Sequence, residues 1–292
     1  MRGKTQQGAV LAALAGICWG TIGTAQTMLP LDTSPLTIGA MRLLIGGIVL
    51  ALWLWRRKES SRQVDWHFKD ILIAAVGVAG LQIGLLSALP RTGVAMGTMI
   101  TIGSSPIVAG VLGRIFFKEK FTSKWMIATG MAIVGCALII FSGTQVEIEP
   151  KGILLALMGG CFYALGGVGI KGMARSKNLL PNIAAVLLLA AGFLLLLSLK
   201  HDFSWIFTRV GSMVAFYLGI MTAVLPYALF ALALTRIPLA QTYTFGLTEP
   251  LLAFLLGIFL LKEAVAGVAM IGILILLMGL FWLAIPERKK HS

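Results

Sequence analysis

Two ionisable residues lie inside long apolar segments of this sequence, where a charge is costly and by default marks function. Glu249 lies about 11 residues into the segment 238–261, and Arg42 lies about two turns into the segment 35–55. The other ten acidic residues lie in loops or at segment ends. Burial disfavours the ionised form of a carboxyl group. Glu249 could therefore take up and release protons, or it could be a structural carboxylate held by hydrogen bonds; both interpretations stay open.

Arg42 keeps its proton in proteins, so its side chain requires a partner or water. Its candidate partners are Glu249, Glu263 and carbonyl groups at helix ends. One interpretation is an anchor for the carboxylate of a substrate. The other is a structural latch, or a side chain that reaches toward the membrane surface. The sequence favours the structural interpretation.

Two prolines lie inside apolar segments, Pro106 and Pro250. A proline inside a helix has no N–H to donate, which leaves the carbonyl four residues earlier without its usual donor. These carbonyls belong to Ile102 and Gly246. Lipid cannot satisfy them, so we expect them to face a cavity or a neighbouring hydroxyl. The prolines are predicted to be either paired hinges beside a substrate or static kinks.

Polar side chains next to these prolines share one helical face in each half of the chain. The matched positions, with the same i, i+3, i+7 spacing, are Thr98, Thr101 and Ser105 in the first half and Thr242, Phe245 and Glu249 in the second. Further candidates for lining a cavity are Trp19, Thr24, Gln26, Gln82, Tyr163 and Tyr227. For each of these residues, lining a cavity competes with helix packing or a position at the membrane interface.

The elements that carry these residues are transmembrane helices. The chain of 292 residues is 58% hydrophobic and 12% charged, whereas a soluble domain is about 45–50% apolar and about 25% charged. A membrane span needs about 20 mostly apolar residues. Ten such spans are predicted, at 8–29, 35–55, 70–88, 92–114, 124–142, 152–173, 181–199, 211–234, 238–261 and 265–285.

The basic residues indicate how these spans are oriented. An even number of spans places both termini on one side of the membrane. Of the 24 Lys and Arg residues, 18 lie on that side, five lie on the other and Arg42 lies within a span. Cytoplasmic loops carry such an excess, so both termini are predicted to be cytoplasmic and the protein to lie in the cell membrane. The net charge of +13 is therefore explained without nucleic acid as a partner.

The sequence repeats itself at an offset of 144 residues. Gly16 recurs as Gly160, Pro106 as Pro250, and the pair Lys118-Glu119 as Lys262-Glu263; further matches join Gly8 to Gly152, Ala109 to Ala253 and Gly135 to Gly279. Each half, 1–146 and 147–292, carries five spans. Because five is odd, the two halves cross the membrane in opposite directions, and such inverted repeats are typical of secondary transporters.

On these residues the chain resembles the EamA-type members of the drug/metabolite transporter superfamily. The resemblance rests on the Trp19-Gly20-Thr21 turn, on Arg42, and on the segments from Ser105-Pro106 to Lys118-Glu119 and from Glu249-Pro250 to Lys262-Glu263. It implies ten helices around a central cavity lined by spans one, three, four, six, eight and nine, with spans five and ten at the periphery. It also implies transport of amino acids, other metabolites or drugs. Position 186 is Val, so the second half lacks a counterpart of Arg42.

We therefore expect a secondary active transporter that exports amino acids or related compounds by alternating access, as a monomer or a homodimer. Hydroxyls, amides and aromatic rings suit a small, mostly neutral metabolite better than a polyanion. Export of drugs or other amphipathic metabolites is the alternative; a channel and a membrane scaffold are weaker ones. No enzyme motif or ATP-binding loop is present, and the three cysteines have no zinc spacing, so we expect neither catalysis, cofactor nor metal.

Overall fold

The computed structural model describes residues 2–57, 64–141, 149–174, 176, 178–260 and 267–285. All regular elements in these residues are helices. Nine helical segments of the described chain are long and apolar enough to cross a membrane, and a tenth apolar segment, Ser123–Ile139, is shorter. The predicted all-α membrane fold is confirmed. The predicted repeat pair Lys262-Glu263 lies outside the described residues.

The helices follow the predicted spans closely. In the first half they are Arg2–Gly20 and Ile22–Gln26 (span one), Pro35–Arg56 (span two), the continuous helix Phe68–Phe117 (spans three and four) and Ser123–Phe141 (span five). In the second half they are Pro150–Met173 (span six), Leu179–Ser198 (span seven), Arg209–Gly219, Ile220–Val224 and Leu225–Leu234 (span eight), Leu239–Gly246 and Thr248–Phe259 (span nine) and Gly267–Ala284 (span ten). A short 3₁₀-helix, Ser204–Phe207, precedes span eight.

Gly93 joins spans three and four with almost no loop. Its backbone has φ 73° and ψ 162°, a conformation that glycine adopts without the steric cost of a Cβ. The two spans run in opposite directions along span six. Thr101 of span four contacts Ala156 and span three's Gly84 contacts Gly159. One residue of special backbone conformation therefore replaces the short loop that the sequence predicted.

The first span of each half packs against the third and fourth spans of the other half. A Cβ added to Gly16 in span one would lie 2.3 Å from the hydroxyl of Thr248 in span nine. A Cβ added to Gly160 in span six would lie 2.2 Å from the hydroxyl of Ser104 in span four. These contacts are related by the same offset of 144 residues. The two inverted repeats thus interlock through glycines that permit close helix approach.

Spans five and ten pack mainly on each other, at the periphery. Gly135 lies against Gly272 and Leu276, while Gly279 lies against Ala128 and Ala132. The second contact repeats the first with the two halves exchanged. Spans two and seven form a similar pair.

Two bundles result, and they differ in regularity. Bundle A contains spans one, eight and nine; bundle B contains spans three, four and six. Bundle A has a break at Thr21, a π-helical turn at Ile220–Val224 and a break at Leu247. In bundle B, the described helices are interrupted at Gly93. The irregular backbone is therefore concentrated in one of two bundles that are built from equivalent sequence segments.

One membrane face holds both ends of the described chain, and we call it the terminal face. The Lys124 ammonium group donates to the carbonyl of Ile285 near the C-terminal end. Gly8, near the N-terminal end, packs against Ile237, whose carbonyl accepts a hydrogen bond from Lys171. The other membrane face is called the opposite face below.

Candidate functional site

The irregular turn of span eight presents a backbone carbonyl to the centre of the protein. Pro226 has no N–H, so it cannot donate to the carbonyl of Thr222 as a residue of a regular helix would. Instead, the indole Nε1 of Trp19 donates to this oxygen at 3.1 Å, and Nη1 of Arg42 lies 3.4 Å from it. Two residues from spans one and two thus satisfy the carbonyl that proline leaves without its helical donor.

Arg42 is buried, with 6% of its surface exposed. Within the described residues its side chain makes the one hydrogen bond to Thr222. It lies within electrostatic range of Tyr227, Glu249 and Tyr163. Of the partners predicted for it, a backbone carbonyl is observed, an ion pair with Glu249 is absent from the described residues, and Glu263 lies outside them. Most of the guanidinium donors therefore remain available to a ligand.

Glu249 lies in the first turn of the helix that follows the break in span nine. It is ten residues from Leu239, where that span begins, which corresponds to about 15 Å of helical rise and thus to the middle of a bilayer core of about 30 Å. Its side chain is partly exposed and makes no hydrogen bond or ion pair within the described residues. Besides Arg42, the groups within electrostatic range are Tyr163, Tyr227 and Cys136 of span five. Glu249 and Arg42 thus border the same interior region without neutralising each other by contact.

Aromatic rings cover one side of this region. Trp19 lies edge-on to Tyr227, with ring centroids 5.6 Å apart, and also contacts Tyr163 and Phe230. Tyr243 closes the group through its contacts with Tyr163, at 4.7 Å, and with Phe230, at 5.2 Å. We call these five residues the aromatic cluster. It joins span six of bundle B to spans one, eight and nine of bundle A.

The side chains predicted to share one helical face in each half, which we call the two polar stripes, mostly hydrogen-bond to backbone carbonyls. The Thr101 hydroxyl donates to the carbonyl of Ala156 at 3.0 Å, and that of Thr242 donates to the carbonyl of Pro238 at 3.0 Å. Phe245 is buried among apolar side chains of spans one, four, five and ten. The structure therefore does not bring the two stripes together around one open space, and their substrate contacts stay a prediction.

The remaining cavity candidates are partly exposed. Thr98 lies in span four, Thr24 and Gln26 lie in the short helix after the break in span one, and Gln82 lies in span three. The amide of Gln82 is 3.1 Å from the position of a Cβ on Gly39 in span two. These four residues lie outside the aromatic cluster, and their role in lining a cavity stays a prediction.

The two repeat-related prolines have different surroundings. Pro106 is in the middle of a helix that continues past it, and the hydroxyl of Ser105 donates to the carbonyl of Ile102 at 2.7 Å. This is the neighbouring hydroxyl that the sequence predicted. Pro250 is in the first turn of a new helix, where its missing N–H costs little. The break itself is at Leu247, and the carbonyl of Gly246 faces Gly16 in close approach.

Sequence reasoning missed Thr222, Phe230 and Tyr243. Thr222 acts through its backbone carbonyl, which side-chain chemistry does not reveal; the signal was Pro226, four residues later. Tyr243 is adjacent to the predicted stripe position 242 and lies on a neighbouring helical face. The chain has only four tyrosines, and three of them are in the cluster, so the rarity of Tyr within spans was a usable signal.

The fold and the site together define a class of protein. Two inverted five-helix repeats surround a region near the bilayer middle. Broken helices place the carboxylate of Glu249 and the indole of Trp19 there, and the continuous helix of span two adds the guanidinium group of Arg42. Discontinuous helices at such a depth are how secondary transporters build their binding sites.

The chain belongs to the EamA-like transporter family, whose model matches residues 6–141 and 150–285, and it is a transporter. It is 35% identical over 279 residues to "Uncharacterized transporter YwfM" of Bacillus subtilis (strain 168), covering 96% of this chain and 94% of that relative. It is 23% identical over 287 residues to "WAT1-related protein At3g02690, chloroplastic" of Arabidopsis thaliana, covering 92% and 67% of the two chains. A crystal structure of another protein matches with a TM-score of 0.81 over 94% of this chain and 95% of that one; at 16% identity it supports the fold alone.

Proposed function

We propose that this transporter is a secondary active carrier that exports amino acids or related small metabolites across the cell membrane by alternating access. The observation that carries the proposal is the position of Arg42 and Glu249. Both border the aromatic cluster, and the described residues contain no ion pair between them. Opposite charges held apart in a low-dielectric interior leave room for a ligand that carries both complementary charges.

A zwitterion satisfies this arrangement. Its carboxylate can accept hydrogen bonds from the guanidinium N–H groups of Arg42 that Thr222 does not use. Its ammonium group can approach Glu249 and the faces of aromatic rings such as Trp19 and Tyr227. A ligand with only one charge would leave either Arg42 or Glu249 without a partner in the interior, which is costly.

Glu249 is also the proposed site of proton coupling. Its carboxyl group has no hydrogen-bond partner within the described residues, so the protein does not hold it in one protonation state by donating to it. A carboxyl group at this depth can bind a proton in exchange for the ammonium group of the substrate. This exchange would link export to the inward movement of protons.

In the proposed topology the two repeats are residues 1–146 and 147–292. The terminal face lies on the cytoplasmic side. The excess of Lys and Arg on that side supports this orientation. Movement of bundle A against bundle B would open the central region to one side of the membrane at a time. Arg42, Glu249 and the aromatic cluster all belong to one chain, so each chain would transport by itself, as a monomer or within a homodimer.

A second candidate function is export of drugs or other amphipathic metabolites. The aromatic cluster favours it, because its five rings, which are packed on one another in the core here, would offer a large apolar surface to a flat or bulky ligand once the bundles separate. The two candidates differ in what they require. A zwitterion depends on Arg42 and Glu249 together, whereas an apolar amine would depend on Glu249 and the rings.

The test is counterflow in proteoliposomes that contain the purified protein. A labelled amino acid is added outside vesicles that are preloaded with the same unlabelled amino acid. The measurement is then repeated with an imposed pH gradient. Accumulation of label against its concentration difference shows a carrier and argues against a channel or a scaffold. The same assay is repeated with Glu249→Gln and with Glu149→Gln, a matched control at an exposed carboxylate on the opposite face.

We expect Glu249→Gln to keep exchange but to lose the drive from the pH gradient, while Glu149→Gln behaves as the parent protein. If Glu249→Gln responds to the gradient as the parent does, Glu249 is structural. If no amino acid shows counterflow and a lipophilic amine does, the second candidate replaces the first.

A further inference from the structure

A second pair of opposite charges lies at the terminal face, away from the proposed substrate site. Lys171, near the end of span six, places its Nζ 2.6 Å from Oε1 of Glu119. Each side chain is only 15% exposed. Glu119 also accepts the backbone N–H of Leu239, at 3.0 and 2.9 Å for its two oxygens, and Nζ of Lys171 donates to the carbonyl of Ile237 at 3.1 Å. We call Glu119 and Lys171 the clasp.

The clasp joins the two bundles. Glu119 follows span four and Lys171 is in span six, so both belong to bundle B. Leu239 is the first residue of span nine and Ile237 precedes it, so the groups that the clasp holds belong to bundle A. A carboxylate at the N-terminus of span nine satisfies a free N–H and interacts favourably with the helix dipole. The contact therefore holds the start of a bundle A helix against bundle B.

The backbone before Glu119 is shaped to direct it toward span nine. Lys118 has φ 55° and ψ 31°, a left-handed conformation that is costly for a residue other than glycine. The N–H groups of Lys118 and Glu119 both donate to the carbonyl of Gly113, which ends span four and turns the chain back. A Cβ on Gly113 would lie 2.5 Å from Oε2 of Glu119. A small residue is thus needed where the carboxylate folds over the helix end.

The opposite face has a different residue at the equivalent position. The offset of 144 residues relates Lys171 to Thr27, which is exposed and donates its hydroxyl to the carbonyl of Thr24 in its own helix. The chain therefore lacks the lysine of the clasp at the opposite face. The ion pair that is described there, Arg91 with Glu149 at 3.5 Å, joins the end of span three to the start of span six, both in bundle B.

We propose that Lys171 and Glu119 form a one-sided gate that closes the terminal face by holding the start of span nine, with Lys171 as the positioning residue for the carboxylate. This proposal rests on the alternating access proposed above. When the bundles separate at this face, Glu119 and Lys171 stay paired within bundle B, so opening breaks hydrogen bonds without leaving a bare charge. Because the opposite face has no equivalent lysine, the gate favours the conformation that is open there.

The experiment measures access from the terminal face without any substrate. A cysteine-free protein carries the reporter Ala164→Cys, which is fully buried and lies two helical turns before Lys171 on the same face of span six. A membrane-impermeant maleimide is added to inside-out vesicles, and Gly3→Cys, at an exposed position, confirms which face is outside. Labelling rates are compared in the parent, Lys171→Met, Lys171→Arg and the control Glu149→Gln.

We expect Lys171→Met to raise the labelling rate of Ala164→Cys about tenfold or more, since a hydrogen bond to a charged group contributes about 1.5–3 kcal/mol. Lys171→Arg keeps the charge and should stay near the parent rate, as should Glu149→Gln. An unchanged rate in Lys171→Met overturns the proposal, and so does an equal rise in Glu149→Gln.

A reporter at Ala132, buried between spans five and ten, detects loss of the fold. If Ala132→Cys also labels faster in Lys171→Met, Glu119→Gln is tested instead. In that variant we expect faster labelling of Ala164→Cys and unchanged labelling of Ala132→Cys, and an unchanged rate for Ala164→Cys overturns the gate. Labelling does not depend on amino acid transport. A failed counterflow experiment therefore leaves this result intact, and a failed labelling experiment leaves the proposed substrate intact.

Discussion

Trp19 and Tyr163 are equivalent positions of the two repeats, 144 residues apart, and their rings meet edge to face with centroids 6.1 Å apart. Residues related by a pseudo-two-fold axis can touch each other only close to that axis. Their contact therefore marks the centre of the protein. The two residues have different chemistry, since the indole of Trp19 donates to Thr222 and the carbonyl of Tyr163 accepts from Tyr243. The symmetric backbone thus carries an asymmetric site at its axis.

Substitutions of Trp19 and Arg42 should have non-additive effects on the free energy of unfolding, because both residues donate to the carbonyl of Thr222. With either donor removed, the other still satisfies this oxygen. With both removed, a buried acceptor loses its side-chain donors, at a cost of about 1–3 kcal/mol. We expect the double variant Trp19→Phe, Arg42→Met to be less stable than the sum of the single variants by about 1 kcal/mol. Reversible unfolding in detergent micelles measures the free energies of the parent, the two single variants and the double variant. Additive effects would mean that another donor reaches this carbonyl.

Gly16 and Gly23 provide a matched pair of alanine substitutions within span one. A Cβ on Gly16 would lie 2.6 Å from the backbone oxygen of Gly246, which cannot move without displacing span nine, whereas nothing lies within 4 Å of a Cβ on Gly23. Gly16→Ala should therefore lower the free energy of unfolding by about 1–3 kcal/mol. Gly23→Ala should be neutral or stabilising by about 0.5–1 kcal/mol, because alanine favours the helix.

Thermal unfolding followed by fluorescence compares these two variants with the parent protein. Equal midpoints for Gly16→Ala and Gly23→Ala would contradict the close approach of spans one and nine. Gly160→Ala extends the test to the equivalent contact of span six with Ser104 and should behave like Gly16→Ala.

Pro250 and Pro106 should differ in their effect on transport although they are repeat equivalents. Pro250 follows the break in span nine, and Pro106 lies in a continuous helix whose freed carbonyl is satisfied by Ser105. Pro250→Ala restores an N–H beside the break and favours a regular helix there. We expect it to slow counterflow about tenfold, which corresponds to about 1.4 kcal/mol in the barrier. Pro106→Ala should leave the rate within about twofold, a change of less than about 0.5 kcal/mol.

Both proline variants are compared with the parent at equal amounts of reconstituted protein. A similar slowing by Pro106→Ala would assign the hinge role to both halves, as the sequence allowed. Normal transport by Pro250→Ala would show that the break at Leu247 is static.

The ten apolar segments, their alternating direction and the two repeats follow from the sequence. In lipid, each segment must satisfy its own backbone as a helix, so hydropathy alone places span two at 35–55 where the structure has Pro35–Arg56. Glu249 and Arg42 were also identifiable, because ionisable residues stand out against an apolar background. The short loop predicted between spans three and four was replaced by Gly93, since a single backbone conformation was sufficient to turn the chain.

The partners of these residues were decided by the tertiary structure. Arg42 reaches a carbonyl 180 residues away, and no local pattern encodes which backbone atom another helix will present. The sequence identified Glu119 only as part of the repeated pair Lys118-Glu119, and packing alone placed it at the start of span nine. The repeat predicts that the two bundles are equivalent, yet the helices of bundle A are irregular at positions where their counterparts in bundle B are regular. Hydropathy determines which residues enter the membrane, because that choice is local. The meeting of Trp19 and Arg42 at the carbonyl of Thr222, with Glu249 in the same region, depends on how helices distant in sequence pack together.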